Sequence, residues 1–418
     1  MKNLSPAKPI KPISERLLLL TLAAIQFTAI VDFLIILPLG PQYMRVFKIS
    51  PAQFGLIVSA YAISAGIAGL AAGFFLDRFD RKPALLWLYA GFTLGTLFCS
   101  FAPTYPLLVL ARAIAGAFGG VVGGIILAII GDVIPESRRG AAMGMVMSSF
   151  SVASICGVPI GLLLASHLNW HVPFLALAIL SAVILLAAFR IMPHLQNHLL
   201  DARREQLATR MKMLLLNKDH QLAFVFMALL TCAGFLVFPY ISNYMVANVG
   251  LTEKQLPLIY LAGGICTIFT MNWVGRWSDR SGKKRVFIIV SFVAAVPIIA
   301  LTNLPHVPVG IAIAVSSLLM ICMSGRMVPA MALMTANIEP RYRGGFMSIN
   351  SSVQQFASGI GAYASGMILG QTATGEITNY SVVGMLSVFC AYSCIYFARF
   401  LKAPAAPRVA NEPIAVEI

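Results

Sequence analysis

Long apolar runs alternate along the whole chain with short polar interruptions, most of them basic. A membrane-spanning helix needs about 20 predominantly apolar residues. Twelve such runs can be placed, at 17–43, 52–76, 83–102, 105–134, 139–166, 170–191, 219–247, 254–277, 284–303, 307–338, 344–370 and 380–401. The predicted class is an all-α membrane protein with twelve transmembrane helices. Residues 1–16, with Pro6, Pro9 and Pro12, and residues 402–418 read as polar tails, and 192–218 as a linker dividing 17–191 from 219–401. Within the linker Leu200, Leu207, Met211, Leu214 and Leu215 recur at near-helical spacing among Arg203, Arg204, Arg210 and Lys212, which suits a helix lying on a membrane surface. The first run is too long for a signal-peptide core and has no cleavage site, so it reads as the first span.

One interruption is repeated. Gly73 to Lys82 reads GFFLDRFDRK, and Gly275 to Lys284 reads GRWSDRSGKK. In both copies a Gly closes an apolar run, Asp77 or Asp279 follows four residues on, Arg78 or Arg280 comes next, and a basic pair ends the segment. The two Asp positions are 202 residues apart, and PESRRG at 135–140 is echoed at nearly the same offset by PRYRGG at 340–345. A repeat at this spacing predicts two pseudo-symmetric six-helix bundles.

Composition narrows the class further. With 59% hydrophobic residues, 11% charged and a mean hydropathy of +0.85, the chain lies outside the range of soluble proteins. A net charge of +15 would fit a nucleic-acid binder, but all except five of the 30 Lys and Arg fall in interruptions on one side of the predicted topology. Arg45, Lys48 and Lys254 fall on the other side, and Arg112 and Arg326 lie within runs. That asymmetry predicts a multi-pass protein of a bacterial-type inner (plasma) membrane with both termini cytoplasmic, its basic charge meeting anionic lipid rather than nucleic acid. The seven Cys all sit in apolar runs without metal-ligand spacing, which reads as packing, with no metal site. No G-x-x-x-x-G-K-[ST] loop and no Ser–His or His–carboxylate constellation is present, which argues against an ATP-driven pump and against an enzyme.

Charged residues inside spans are the candidates for function, because burying them is costly. Asp32 lies about 22 Å into the first span and Arg112 about 10 Å from the far end of the fourth, so the two share a depth. A structural ion pair is the alternative reading. In the fifth span Gly157, Pro159 and Gly161 predict a kinked, closely packed helix. In the tenth, Arg326 sits near mid-membrane beside Met320, Met323, Met327, Met331 and Met334, a stripe that suits either a cavity for varied apolar ligands or plain packing. Arg326, Tyr240, Asn243, Met323, Met327 and Gln354 are the candidate cavity residues.

The pattern resembles the major facilitator superfamily from the first span to the last. Gly73, Asp77, Arg78, Arg81 and Lys82 match its loop signature G-x-x-x-D-R-x-G-R-K, with Asp80 in place of the Gly; the second copy keeps Gly282 but has Lys283 for Arg. The resemblance implies that Asp77 caps a helix of the other half and that Arg81 pairs with Asp132, together latching the form open to the outside. The second copy, Gly275, Asp279 and Arg280, would latch more weakly because Asn337 falls near the position of Asp132. Arg112 and Asp32 resemble the proton-relay residues of drug/proton antiporters, while GVPIG with Trp170 and Phe174 looks more like the arabinose-efflux branch. The implied activity is proton-coupled efflux of a small organic compound, drug-like or sugar-like, by alternating access. It would be driven by the proton gradient without a cofactor and carried out by a monomer. A uniporter or importer is the alternative.

Overall fold

The computed structural model describes residues 14–193, 195, 213–335, 338 and 343–401. Among the described residues twelve long helices follow one another: α1 Glu15–Ile35, α2 Pro51–Phe75, α3 Arg81–Phe101, α4 Tyr105–Val133, α5 Glu136–His167, α6 His171–Ile191, α7 Lys218–Ala247, α8 Glu253–Ser281, α9 Lys283–Thr302, α10 Val309–Thr335, α11 Arg343–Ile368 and α12 Tyr380–Ala398. Eleven are long and apolar enough to cross a membrane. The twelfth, α11, is diluted by Ser348, Asn350, Ser351, Ser352, Gln354 and Gln355, and it packs on α2 and α7. Its companion α2 is rich in Gly and Ala, so the backbones approach closely. Gly66 faces the Phe356 ring, Gly69 faces Ser352, and Gly359 faces Ile63 and Ala62.

The first six helices pack as α1 with α5 and α6, and α4 with α2 and α3; the second six repeat this as α7 with α11 and α12, and α10 with α8 and α9. The second and fifth helices of each bundle also cross to the other, α2 to α11 and α5 to α8. Large apolar side chains on the outside, such as Trp87, Leu186, Phe189, Phe269, Trp273 and Phe389, stay exposed. Such a belt is tolerable only where the surroundings are apolar.

Breaks follow the residues that force them. The first apolar run ends as a helix at Ile35, then turns through Pro38 into the short helix Gly40–Phe47, where Pro41 needs no donor. In α5 the segment Ala153–Gly157 is a π-turn, with the Val158 amide reaching the Ala153 carbonyl, just before Pro159 withholds a backbone donor. Ser50 and Gln53 form a capping box at the start of α2, and Thr252 and Gln255 form another at the start of α8, again 202 residues apart. In the linker, Met213–Leu216 is helical and Leu214 is buried in the core of the second bundle; the remaining linker positions named above lie outside the described residues.

The apolar cores are unequal at the two ends of the helices. The end holding the α2–α3 and α8–α9 turns carries most of the cations and is here termed the basic face. Near the opposite face one continuous core joins both bundles, from Ile35, Tyr43 and Phe54 to Tyr240, Leu256 and Ile298. Near the basic face each bundle has its own core, one built around Leu22, Tyr89 and Ile126, the other around Phe226, Phe287 and Phe346.

Candidate functional site

Three polar constellations lie along the boundary between and within the bundles. The first is sealed inside the amino-terminal bundle. Asp32 of α1 accepts a hydrogen bond from the Thr96 hydroxyl of α3 at Oδ1 (3.0 Å) and from Arg112 Nη1 of α4 at Oδ2 (2.8 Å). The same Nη1 donates to the Asp32 carbonyl at 3.2 Å. Both charged side chains are 0% exposed. The Arg112 guanidinium also lies 4.3 Å from the centre of the Tyr61 ring, which packs on Phe33. Three helices and a ring therefore enclose one ion pair; the Asp32 carboxylate accepts at both oxygens, while Arg112 Nε and Nη2 have no hydrogen-bond partner among the described residues. Equal depth in the sequence made the pairing geometrically open; Thr96 and Tyr61 carried no signal of their own.

The second constellation is a cavity of about 240 Å³ between the bundles, on the basic side of the joined core. Its walls come from α1, α5, α7, α8 and α10, and include Leu34, Phe150, Tyr260, Met320, Met323 and Met327. Its hydroxyls are mostly bonded back to their own helices, Ser154 to the Phe150 carbonyl, Thr267 to Gly264 and Ser324 to Met320. The π-turn of α5 supplies Ser154 to this wall. Phe150 is 49% exposed, so this wall of the cavity reaches the protein surface at α5.

Of the six cavity candidates, Met323 and Met327 line this space and four do not. Tyr240 and Asn243 lie in the closed end: the Tyr240 hydroxyl donates to the Pro51 carbonyl at 2.9 Å, and Asn243 reaches the Met44 sulfur at 2.7 Å. Both contacts cross between bundles, so these residues close the opposite face. Gln354 is half-buried on α11, away from the cavity wall. Arg326 is 2% exposed and turned into the second bundle, donating to the Met323 sulfur at 2.8 Å and to the Leu230 carbonyl at 3.5 Å. The methionine stripe accordingly divides: Met320, Met323 and Met327 face the cavity, while Met331 and Met334 pack in the core of the second bundle.

The third constellation holds the faces. Arg81 Nε of α3 meets Asp132 Oδ2 of α4 at 3.0 Å, within one bundle. Asp80 occupies the turn with a φ of −57°, so no glycine is required there; it caps α3 through the Lys82 amide at 3.0 Å and accepts the Leu195 amide at 3.1 Å. Its counterpart Gly282 has a φ of +90°, a conformation glycine alone adopts easily. Gly73 lies in α2 before this turn, and Arg78 ends the short turn Leu76–Arg78. Gly275 packs toward Val328, and Asp279 and Arg280 are exposed at the end of α8. The expected interbundle cap depends on the Asp77 side chain, which lies outside the described residues, as does Asn337. The Arg81–Asp132 pair is intact here although the bundles are joined at the opposite face, so that pair alone does not mark which face is open.

A gate at the opposite face escaped the sequence reading altogether. Glu253, in the capping turn of α8, pairs with Arg45 and accepts Gln42 Nε2 at 2.9 Å, both from the helix Gly40–Phe47. The partners are 208 and 211 residues apart, so no local pattern could announce them.

Comparison with known proteins agrees with this architecture. A family model described as Major Facilitator Superfamily matches residues 22–271 and, overlapping it, 223–416. An uncharacterized MFS-type transporter of Bacillus subtilis (strain 168), YceJ, is 25% identical over 373 residues, 89% of this chain and 94% of its own length. The putative transporter AraJ of Escherichia coli (strain K12) is 22% identical over 364 residues, covering 86% of this chain and 89% of AraJ. Among solved structures, that of a D-xylose-proton symporter aligns with a TM-score of 0.76 at 15% identity, over 94% of this chain and 99% of the other. The likeness to that structure is one of fold.

Proposed function

Because the chain belongs to the major facilitator superfamily and is a multi-pass transporter of that fold, we propose that it exports a small organic compound in exchange for protons. The observation that carries this reading is the sealed Asp32–Arg112 pair. It is a titratable carboxylate held in a closed pocket by three helices of one bundle. A neighbouring cation favours the ionised carboxylate, and desolvation without that cation favours the protonated one. Alternation between these environments couples proton uptake to conformation, with Asp32 as the carrier and Arg112 as the group that sets its state.

The basic face is assigned to the cytoplasm on the distribution of cations, in an inner (plasma) membrane with both tails inside. The cavity then opens inward, and the Glu253–Arg45–Gln42 cluster with Tyr240 and Asn243 forms the outer gate. The Met-lined, largely apolar wall favours an amphipathic compound over a sugar. The Arg81–Asp132 pair between α3 and α4 is assigned to steadying the inner face. One chain contains the whole pathway, and no cofactor enters the scheme.

Full satisfaction of Asp32 by Thr96 and Arg112 also fits a static ion pair, which would make the protein a uniporter or importer. A screen of diverse compounds in proteoliposomes, run with and without an imposed pH gradient, separates the two. Accumulation against a concentration gradient only when a pH gradient is present supports exchange with protons. Equal rates in both conditions assign the facilitator.

A further inference from the structure

The two buried arginines are treated differently by their surroundings. Arg112 has a carboxylate and an aromatic face. Arg326 has neither: its Nη2 touches a thioether and one long-range carbonyl, and its Nη1 is buried without a hydrogen-bond partner among the described residues. Its other neighbours are the thiols of Cys322, Cys390 and Cys394, which are weak donors and carry no charge when protonated. Between Asp279 and Glu376 the sequence has a single acid, Glu339, beyond the end of α10, so no carboxylate is available within α9, α10 or α11. A guanidinium offers five N–H donors in a rigid planar fork and does not deprotonate. Buried with no counter-ion among the described residues, it is a site waiting for an anion.

Its position says where that anion would come from. Met323, Ser324 and Met327 bracket Arg326 on α10, and all three line the cavity. Met323 lines the cavity and its sulfur touches the guanidinium, so rotation of one unbranched side chain joins the charge to the open space. The soft sulfur occupies the place an oxyanion would take. We propose that Arg326 is the anion-binding group of the cavity and that its ligand is an amphipathic organic anion. A carboxylate or similar oxyanion takes the guanidinium fork in place of the Met323 sulfur, and the apolar body lies along Met320, Met327 and Phe150. This assignment rests on reading the cavity as the transport site, but not on proton coupling.

The test is equilibrium binding to the purified full-length protein in nanodiscs, with no gradient present. The probes are 4-phenylbutyrate, 4-phenylbutanamide and 4-phenylbutylamine, which share a body and differ in charge. The wild type is expected to bind the acid at least tenfold more tightly than the amide or the amine. Arg326→Met should bind acid and amide within about twofold of each other, and Arg326→Lys should keep a reduced preference for the acid. Should Arg326→Met fail to fold, Arg326→Gln carries the same expectation. No binding of the acid at millimolar concentration, equal binding of all three, or an acid preference surviving in Arg326→Met would each overturn the proposal. Since the assay uses no gradient, failure of proton exchange at Asp32 leaves its result unchanged, and gradient-driven export of a neutral compound alongside a negative result here removes only the anion assignment.

Discussion

Replacing Asp32 with Asn leaves the Arg112 guanidinium enclosed without its charge partner. The pair is 2.8 Å long with both side chains at 0% exposure, so neither water nor salt relieves the loss. Breaking such a pair from one side costs about 3–5 kcal/mol. Two features place this case near the lower bound: Thr96 can still donate to the amide oxygen, and the Tyr61 face retains its attraction for the guanidinium, worth about 2 kcal/mol when desolvated. The expected destabilisation is therefore about 3 kcal/mol, roughly two powers of ten in the unfolding equilibrium. Arg112→Met should cost a similar amount by stranding the carboxylate. The double variant, with both charges gone, should fall within about 1–2 kcal/mol of wild type, giving a coupling energy of about 4 kcal/mol or more. Reversible unfolding of the four proteins in mixed micelles measures the cycle. A cost below about 1 kcal/mol for Asp32→Asn, or simple additivity in the double variant, would show the pair to be open to solvent and would refute the sealed-site argument.

Three further outcomes follow from the same geometry. Arg326→Met should stabilise the protein by about 1–4 kcal/mol, the opposite sign to Arg112→Met, because it removes a buried charge that nothing pairs; destabilisation in the same unfolding assay would mean that the guanidinium has an internal counter-ion. Glu253→Gln should loosen the opposite face only modestly, because the Arg45 side chain is 66% exposed and such pairs contribute about 0–1 kcal/mol, a population shift of up to about fivefold. Spin labels at Val46 and Lys254 would report it as a broadened distance distribution, and an unchanged distribution would leave the apolar core as the whole of the closure. Gly282→Ala should cost about 1 kcal/mol or more at a φ of +90°; a cost of only a few tenths in the same unfolding assay would contradict a strained backbone there.

The architecture was readable because lipid imposes a length and an apolar content on each helix, and because the repeat at 202 residues survives in the turn residues. The capping boxes at Ser50 and Thr252 carry the same offset and could have been found by the same comparison. The site was only partly readable. Depth along two helices could place Asp32 level with Arg112, but adjacency is a property of packing between α1 and α4. Tyr240 and Asn243, candidate cavity residues from the sequence, make contacts between bundles instead. Which face is closed has no local signature, since it depends on long-range pairs such as Glu253 with Arg45. The isolation of Arg326, by contrast, was already implied by the absence of acids in the neighbouring spans.

The central claim is that protonation of Asp32 drives export. With a compound identified by the proteoliposome screen, export under an imposed pH gradient is compared with gradient-free exchange, in wild type and in Asp32→Asn. The account predicts that the variant loses gradient-driven accumulation while it still binds and exchanges the compound. Accumulation at the wild-type level in Asp32→Asn would contradict it.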